Sequence, residues 1–139
     1  QELQTLKHYE MPITIYILNN NGYLSIRSTQ AGFFPNRSCG TDSSNGVSFP
    51  SYEKISQAFG IDYHYCNSTS CLNDKIKLVN KSLRPAVVEV ACPPNEKIIP
   101  RTSTTKDRNG RLVSQPLSKM QPELSRGTTQ KLARLGFRH

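Results

Sequence analysis

The chain has 139 residues, enough for one domain with a substantial core, although only 35% of its residues are hydrophobic. It contains no secretory signal, no long apolar span and no lipidation motif, so we expect a soluble, cytoplasmic protein that does not bind membranes. The four cysteines form no Cys-x-x-Cys pair and have no histidine at zinc-finger spacing, which favours free thiols over a metal site.

Charge and hydropathy both change near residue 97. Residues 1–96 carry 8 Lys or Arg and 8 Asp or Glu, whereas residues 97–139 carry 10 and 2, so the net charge of +8 lies in the second segment. We predict an α/β domain over 1–96 and an irregular basic C-terminal extension of the same domain over 97–139. A nucleic-acid-binding arm is a weaker interpretation, because the extension has one aromatic residue and no nucleic-acid-binding motif.

The apolar spacing in residues 1–96 predicts helices and strands in the order α-β-α-α-β-α-β. Helical stripes and short β-branched runs place these elements at 1–9, 13–18, 23–33, 50–60, 61–65, 70–84 and 86–91. Strands separated by helices require crossover connections, so the fold class is a three-layer α/β fold with a parallel sheet flanked by helices. The helical spacing already begins at Gln1, from which we expect a fragment of a longer protein.

The run Ile13 to Leu18 is almost continuously β-branched or aromatic, which predicts a fully buried strand. Three asparagines and Gly22 follow it, and a helix begins near Tyr23, so a polar turn lies at the carboxyl end of a strand. Open α/β sheets bind ligands at this position. A long loop, residues 32–49, comes after the helix and is predicted to be functional or mobile.

The residue types of this turn suit a metal ion together with a phosphate group. An asparagine amide oxygen and a glycine carbonyl are hard, neutral ligands for Mg²⁺ or Ca²⁺, and the helix N-terminus would offer N–H groups to a phosphate. Residues 19–26 contain no carboxylate to help neutralise the ion. The alternative is a hairpin turn at Asn21-Gly22, although residues 24–31 do not have the pattern of a second strand.

The sequence Ile17-Leu-Asn-Asn-Asn-Gly-Tyr-Leu-Ser-Ile26 resembles the second half of the thiamine diphosphate motif, in which Gly-Asp-Gly precedes Asn-Asn. Together with Ala58-Phe-Gly60 and the segments 48–55, 107–117 and 120–124, it is similar to the C-terminal, diphosphate-binding domain of acetolactate synthase-like enzymes. The resemblance implies that the Asn20 side chain and the Gly22 carbonyl bind Mg²⁺. It also implies that Tyr23 and Leu24 lie against the diphosphate of the cofactor.

This resemblance implies a thiamine diphosphate- and Mg²⁺-dependent enzyme that decarboxylates or joins 2-oxo acids, assembled as a homo-oligomer, either a dimer or a tetramer. Two parts of the family's site are missing: no Gly-Asp-Gly precedes Gly22, and the glutamate that activates the cofactor belongs to another domain. We assign no catalytic residue in 1–139 and expect the isolated chain to be inactive. The alternative function is a non-catalytic dimerisation or binding module that retains the fold.

Overall fold

A computed structural model of the chain describes residues 1–34, 36–96 and 98–136. Within residues 1–96 it contains the predicted order of four helices and three strands. These are α1 (Glu2–His8), β1 (Thr14–Asn19), α2 (Leu24–Phe33), α3 (Tyr52–Ala58), β2 (Asp62–Cys66), α4 (Thr69–Ser82) and β3 (Ala86–Ala91). None of the helices in these described ranges is both long and apolar enough to cross a membrane.

The three strands form one parallel sheet in the order β1-β3-β2. Tyr16 of β1 and His64 of β2 both lie opposite Val88 of β3. Because parallel neighbours cannot be joined by a tight turn, helices carry the chain between consecutive strands. The predicted α/β fold, a parallel sheet flanked by helices, is therefore confirmed.

Burial along the strands differs from the sequence prediction. The prediction that β1 is fully buried is wrong: Tyr16 is exposed, and 71% of the Leu18 surface is accessible. The buried strand is β3, in which Ala86 to Glu89 are all buried. The reason is its position, because β3 has a strand on each side whereas β1 lies at an edge of the described sheet.

One face of the sheet packs against α4 to form the hydrophobic core. Val88 and Cys66, both 0% exposed, lie against Val79 of α4 and Ala86. The Ser68 hydroxyl caps this helix by accepting a hydrogen bond from the backbone N–H of Cys71, 3.3 Å away. Burial is the main reason that the pKa of the Cys66 thiol is raised.

The chain divides into two compact units, Gln1–Glu96 and Lys97–His139. In the second unit β4 (Arg101–Thr102) pairs antiparallel with β7 (Met120–Gln121), and β5 (Thr104–Lys106) pairs with β6 (Leu112–Ser114). A 3-10 turn at Leu117–Lys119 precedes β7, and α5 (Arg126–Arg134) is capped by Ser125.

The second unit thus has more regular structure than the predicted irregular extension. The reason is local turn chemistry at Asp107, whose carboxylate accepts hydrogen bonds from the backbone N–H groups of Asn109 and Arg111, each at 2.8 Å. This turn brings β5 and β6 together as a short hairpin. The residues of both strands are exposed.

Candidate functional site

The three asparagines form a compact turn between β1 and α2. The Asn19 side-chain oxygen accepts a hydrogen bond from the Asn21 N–H at 2.9 Å, and the Asn20 oxygen accepts one from the Gly22 N–H at 3.2 Å. Asn21 adopts a left-handed conformation with φ 54°, which asparagine tolerates better than most residues. The turn leads into helix α2, so the hairpin alternative is wrong.

A second segment, residues 38–47, lies against this turn. Gly22 forms an isolated antiparallel bridge with Asp42, and the Tyr23 N–H donates to the Thr41 carbonyl at 2.8 Å. A Cβ atom at position 22 would overlap the Arg27 guanidinium and lie 2.6 Å from the Thr41 carbonyl oxygen. Position 22 therefore requires glycine because other groups already occupy the side-chain space.

Side-chain hydrogen bonds organise the 38–47 segment. The Asn45 amide oxygen accepts from the backbone N–H groups of Thr41 and Asp42 at 2.6 and 3.0 Å, and its amide nitrogen donates to the Ser38 and Thr41 hydroxyls. Hydrogen bonds from Ser44, more than the charge of Arg27, lower the pKa of Asp42. The long loop predicted from the sequence thus contains an ordered segment beside the turn.

A buried carboxylate lies below the turn, on the face of the sheet opposite the α4 core. The Asn19 amide donates to Glu89 Oε1 at 2.6 Å, and the Tyr63 hydroxyl donates to Oε2 at 2.5 Å. Asn19, Tyr63 and Glu89 all lie on one face of the sheet. The register pairs odd-numbered residues of β1 and β2 with odd-numbered residues of β3, and alternate residues of a strand point to the same face. Burial, followed by the Glu89 hydrogen bond, raises the pKa of Tyr63.

These side chains line an open cavity of about 380 Å³ at the carboxyl end of β1. The other lining residues come from the turn and from the segment that leads into α3: Asn21, Phe49, Pro50, Ser51, Tyr52 and Glu53. The strand ends and the start of a helix thus enclose a largely polar cleft, as expected for the ligand-binding edge of an α/β sheet. Glu89 and Tyr63 are not among the site residues predicted from the sequence.

The four predicted site residues are neighbours in this turn. Asn20, Gly22 and Leu24 are half-buried, and Leu24 is the first residue of α2. Tyr23 is exposed and packs edge-to-face on Phe49, with ring centroids 5.4 Å apart. In the described part of the chain no side chain caps α2 at Tyr23, whereas serines cap α3, α4 and α5. The first N–H groups of α2 are therefore not satisfied by a capping side chain.

The turn contains two oxygen atoms that could bind a hard cation, which is only part of the ligand set that such an ion needs. The Asn20 amide oxygen and the Gly22 backbone carbonyl are neutral oxygen donors of the kind that Mg²⁺ accepts, and a cation there would bring a phosphate near the uncapped end of α2. Among the described residues, no group of three or more His, Cys, Asp or Glu side chains could hold a metal ion. The remaining ligands would have to come from a bound phosphate, water or residues outside this chain.

Comparison with known proteins identifies the family of this fold. Residues 1–90 match the family described as thiamine pyrophosphate enzyme, C-terminal TPP binding domain. The chain is 28% identical over 136 residues to the acetolactate synthase large subunit of Parasynechococcus marenigrum (strain WH8102), which covers 98% of this chain and 21% of that protein. It is 28% identical over 106 residues to the acetolactate synthase large subunit of Porphyra purpurea, covering 76% of the chain and 18% of the relative.

The chain thus spans about a fifth of the length of these relatives. The family match covers β1, the asparagine turn, α2 and most of β3, which are the elements that build the candidate site. With a parallel α/β sheet and this match over residues 1–90, the chain belongs to the thiamine pyrophosphate enzymes as an acetolactate synthase-like C-terminal TPP-binding domain.

Proposed function

We propose that this chain supplies the diphosphate- and Mg²⁺-binding part of the active site in an acetolactate synthase-like enzyme that acts on 2-oxo acids. The observation that supports this proposal is the turn at the end of β1, where Asn20 and Gly22 lie beside the uncapped N-terminus of α2. The Asn20 amide oxygen and the Gly22 carbonyl would bind the ion, and Tyr23 and Leu24 would pack against the diphosphate.

Thiamine diphosphate, when bound, supplies the electron sink that decarboxylation and carboligation of 2-oxo acids require. The role of this chain is to bind and orient the diphosphate end, which fixes the distant reactive ring relative to the substrate. Gly22 allows the close approach of neighbouring groups at the turn, since a side chain there would collide with them. We assign no proton-transfer residue in the chain.

The other part of the proposed site would come from sequence outside these residues, because the chain spans about a fifth of its relatives. We propose a homo-oligomer, either a dimer or a tetramer, as the state in which the site is complete. The exposed apolar side chains of Tyr16 and Leu18 on β1 support an assembly through this part of the sheet.

A nuclear magnetic resonance titration of the chain with thiamine diphosphate and Mg²⁺ tests the proposal. We expect the amide signals of Gly22 and Tyr23 to shift with a dissociation constant of about 1 mM, weak because residues 19–26 provide no carboxylate. Asn20→Ala should weaken binding severalfold, whereas Asn67→Ala, an exposed asparagine after β2, should leave it unchanged. Thiamine without the diphosphate should cause no shift at these amides.

Two results of this titration would contradict parts of the argument, the first the assignment of Asn20 and the second the expected affinity. Equal affinity of the Asn20 and Asn67 variants would exclude Asn20 as a ligand. Micromolar binding by the unsubstituted chain would contradict the argument that a missing carboxylate limits affinity.

The exposed apolar side of β1 is equally compatible with a second candidate, a non-catalytic dimerisation or binding module that assembles through this surface. Leu18 is 71% exposed and Tyr16 is 42% exposed, whereas the other residues of β1 are half-buried. This function predicts a stable dimer by sedimentation equilibrium together with no response to thiamine diphosphate. A monomer that binds the cofactor would exclude it.

A further inference from the structure

Arg27, in the first part of α2, joins three segments that are distant in sequence. Its Nη1 atom donates to the Pro94 carbonyl at 2.5 Å and to the Asn95 side-chain oxygen at 3.2 Å. Its Nη2 atom forms an ion pair with Asp42 Oδ2 at 3.4 Å. The side chain is 19% exposed, so the guanidinium is largely shielded from solvent. These contacts connect the helix to the 38–47 segment and to the corner that follows β3.

Asp42 is fixed by more than this ion pair. The Ser44 N–H and hydroxyl donate to Oδ1, at 3.0 and 2.5 Å, and the Thr41 hydroxyl donates to Oδ2 at 3.2 Å. The Gly22 bridge brings the Asp42 backbone directly beside the turn. The Asp42 carboxylate is thus fixed by Ser44 and Thr41 and is paired with Arg27. Through Asp42, Arg27 is linked to the 38–47 segment, which contacts Gly22 and Tyr23.

The Arg27 guanidinium also occupies space next to the turn itself. A Cβ atom built on Gly22 overlaps Arg27 Nη2, so the guanidinium lies directly against the Gly22 backbone. The contact closes a ring of interactions from Gly22 through Asp42 to Arg27 and back to Gly22. A planar, forked cation can make these contacts simultaneously, whereas a lysine ammonium cannot reach all of them.

We propose that Arg27 is a positioning residue for diphosphate binding: by clamping Asp42 and the Pro94 carbonyl, it fixes the backbone of the Gly22–Tyr23 turn in its binding conformation. This inference rests on the proposed function and extends it to a residue that would act through the turn. Nη1 donates to protein acceptors, Nη2 is paired with Asp42, and Nε is buried without a hydrogen-bond partner among the described residues. The guanidinium is thus held between protein groups, and its effect on the ligand is transmitted by geometry.

The experiment separates this role from simple attraction between a cation and an anion. Mg²⁺-pyrophosphate and Mg²⁺-thiamine diphosphate are titrated into the chain, and the shifts of the Gly22 and Tyr23 amides are followed by NMR. Arg27→Gln, Arg27→Lys and Asp42→Asn are compared with Arg37→Gln, which removes a positive charge from an exposed residue of the adjoining loop.

Positioning predicts that Arg27→Gln and Arg27→Lys both weaken binding about tenfold, because neither side chain reproduces the fork. Asp42→Asn should also weaken binding, about fivefold, although it removes a negative charge. Arg37→Gln should change affinity less than twofold. An unchanged affinity in Arg27→Lys, or a stronger affinity in Asp42→Asn, would overturn the inference in favour of direct charge attraction.

Amide hydrogen exchange provides a measurement that does not need the ligand. The Tyr23 N–H, bonded to the Thr41 carbonyl, should lose protection in the Arg27 variants while the Val88 N–H of the central strand keeps it. Equal loss at both amides would show that Arg27 serves global stability only and would overturn the inference. If the unsubstituted chain binds neither ligand, the proposed function fails. Unchanged protection of the Tyr23 N–H in the Arg27 variants would reject the positioning role of Arg27 as well.

Discussion

Replacing Glu89 tests the buried network that lies below the turn. Glu89→Ala leaves the Asn19 amide and the Tyr63 hydroxyl, at 2.6 and 2.5 Å from the carboxylate, without their acceptor. Hydrogen bonds to an ionised group contribute about 1.5–3 kcal/mol each, and relief of the desolvation of the buried carboxylate offsets part of their loss. We expect the free energy of unfolding to fall by about 2–4 kcal/mol.

Glu89→Gln should cost only about 1 kcal/mol, because both contacts remain possible. Its amide oxygen can accept from Asn19, while its amide nitrogen donates to the Tyr63 oxygen. Glu53→Gln is the matched control, since Glu53 lines the same cavity but is exposed, and it should change stability by less than about 0.5 kcal/mol.

Urea unfolding followed by far-ultraviolet circular dichroism measures these differences, with an unchanged denaturant slope as the test of comparable unfolding transitions. A loss below about 0.5 kcal/mol for Glu89→Ala, or equal losses for the Ala and Gln variants, would refute the argued role of the carboxylate. If Glu89→Ala does not fold, Tyr63→Phe gives a milder measurement. Tyr63→Phe removes the hydroxyl that donates to Glu89 and should lower the free energy of unfolding by about 1–2 kcal/mol.

Three further predictions address the core, the turn and a titratable group. Val88→Ala, at a side chain with no exposed surface, should lower the free energy of unfolding by about 2 kcal/mol in urea melts, from lost burial and a residual cavity. Gly22→Ala should destabilise by about 1–3 kcal/mol because its Cβ would lie 2.6 Å from the Thr41 oxygen, whereas Gly32→Ala, in open space within α2, should stabilise slightly. Burial lowers the pKa of His64, so the unfolded chain binds the proton more tightly, and stability should fall as the pH drops from 6.5 towards the folded-state pKa. His64→Asn should flatten that part of the stability profile; an unchanged slope would disprove the assignment.

Local sequence signals were sufficient to predict the helices and strands of residues 1–96 and the turn between β1 and α2. The β-branched runs at 13–18 and 86–91 predict β1 and β3, and the asparagine-glycine sequence between a strand and a helix predicts the position of the polar turn between β1 and α2. The roles of Tyr23 and Leu24 in cofactor binding come only from the family resemblance and stay a prediction. Each of these signals depends on residues close together in the chain.

Burial and side-chain partners could not be predicted in this way, because they depend on which strands become neighbours. The β1 run is the more continuously β-branched and aromatic of the two, yet the order β1-β3-β2 makes β3, which contains Glu89, the buried strand. Glu89 lies 70 residues from its partner Asn19, and Arg27 lies 67 residues from Pro94. A single sequence contains no periodic signal for such pairs.

The central position of β3 has a consequence for biosynthesis. Since β1 and β2 are both adjacent to β3 and not to each other, neither has a sheet partner from this trio until the last of the three strands leaves the ribosome. The nascent polypeptide must therefore keep the apolar β1 segment and the unpaired edges of β1 and β2 apart from other chains during translation of the intervening residues. Slowing elongation while β1 and β2 have emerged and β3 is still inside the ribosome should increase chaperone dependence, whereas slowing it after β3 has emerged should have little effect on assembly of the sheet.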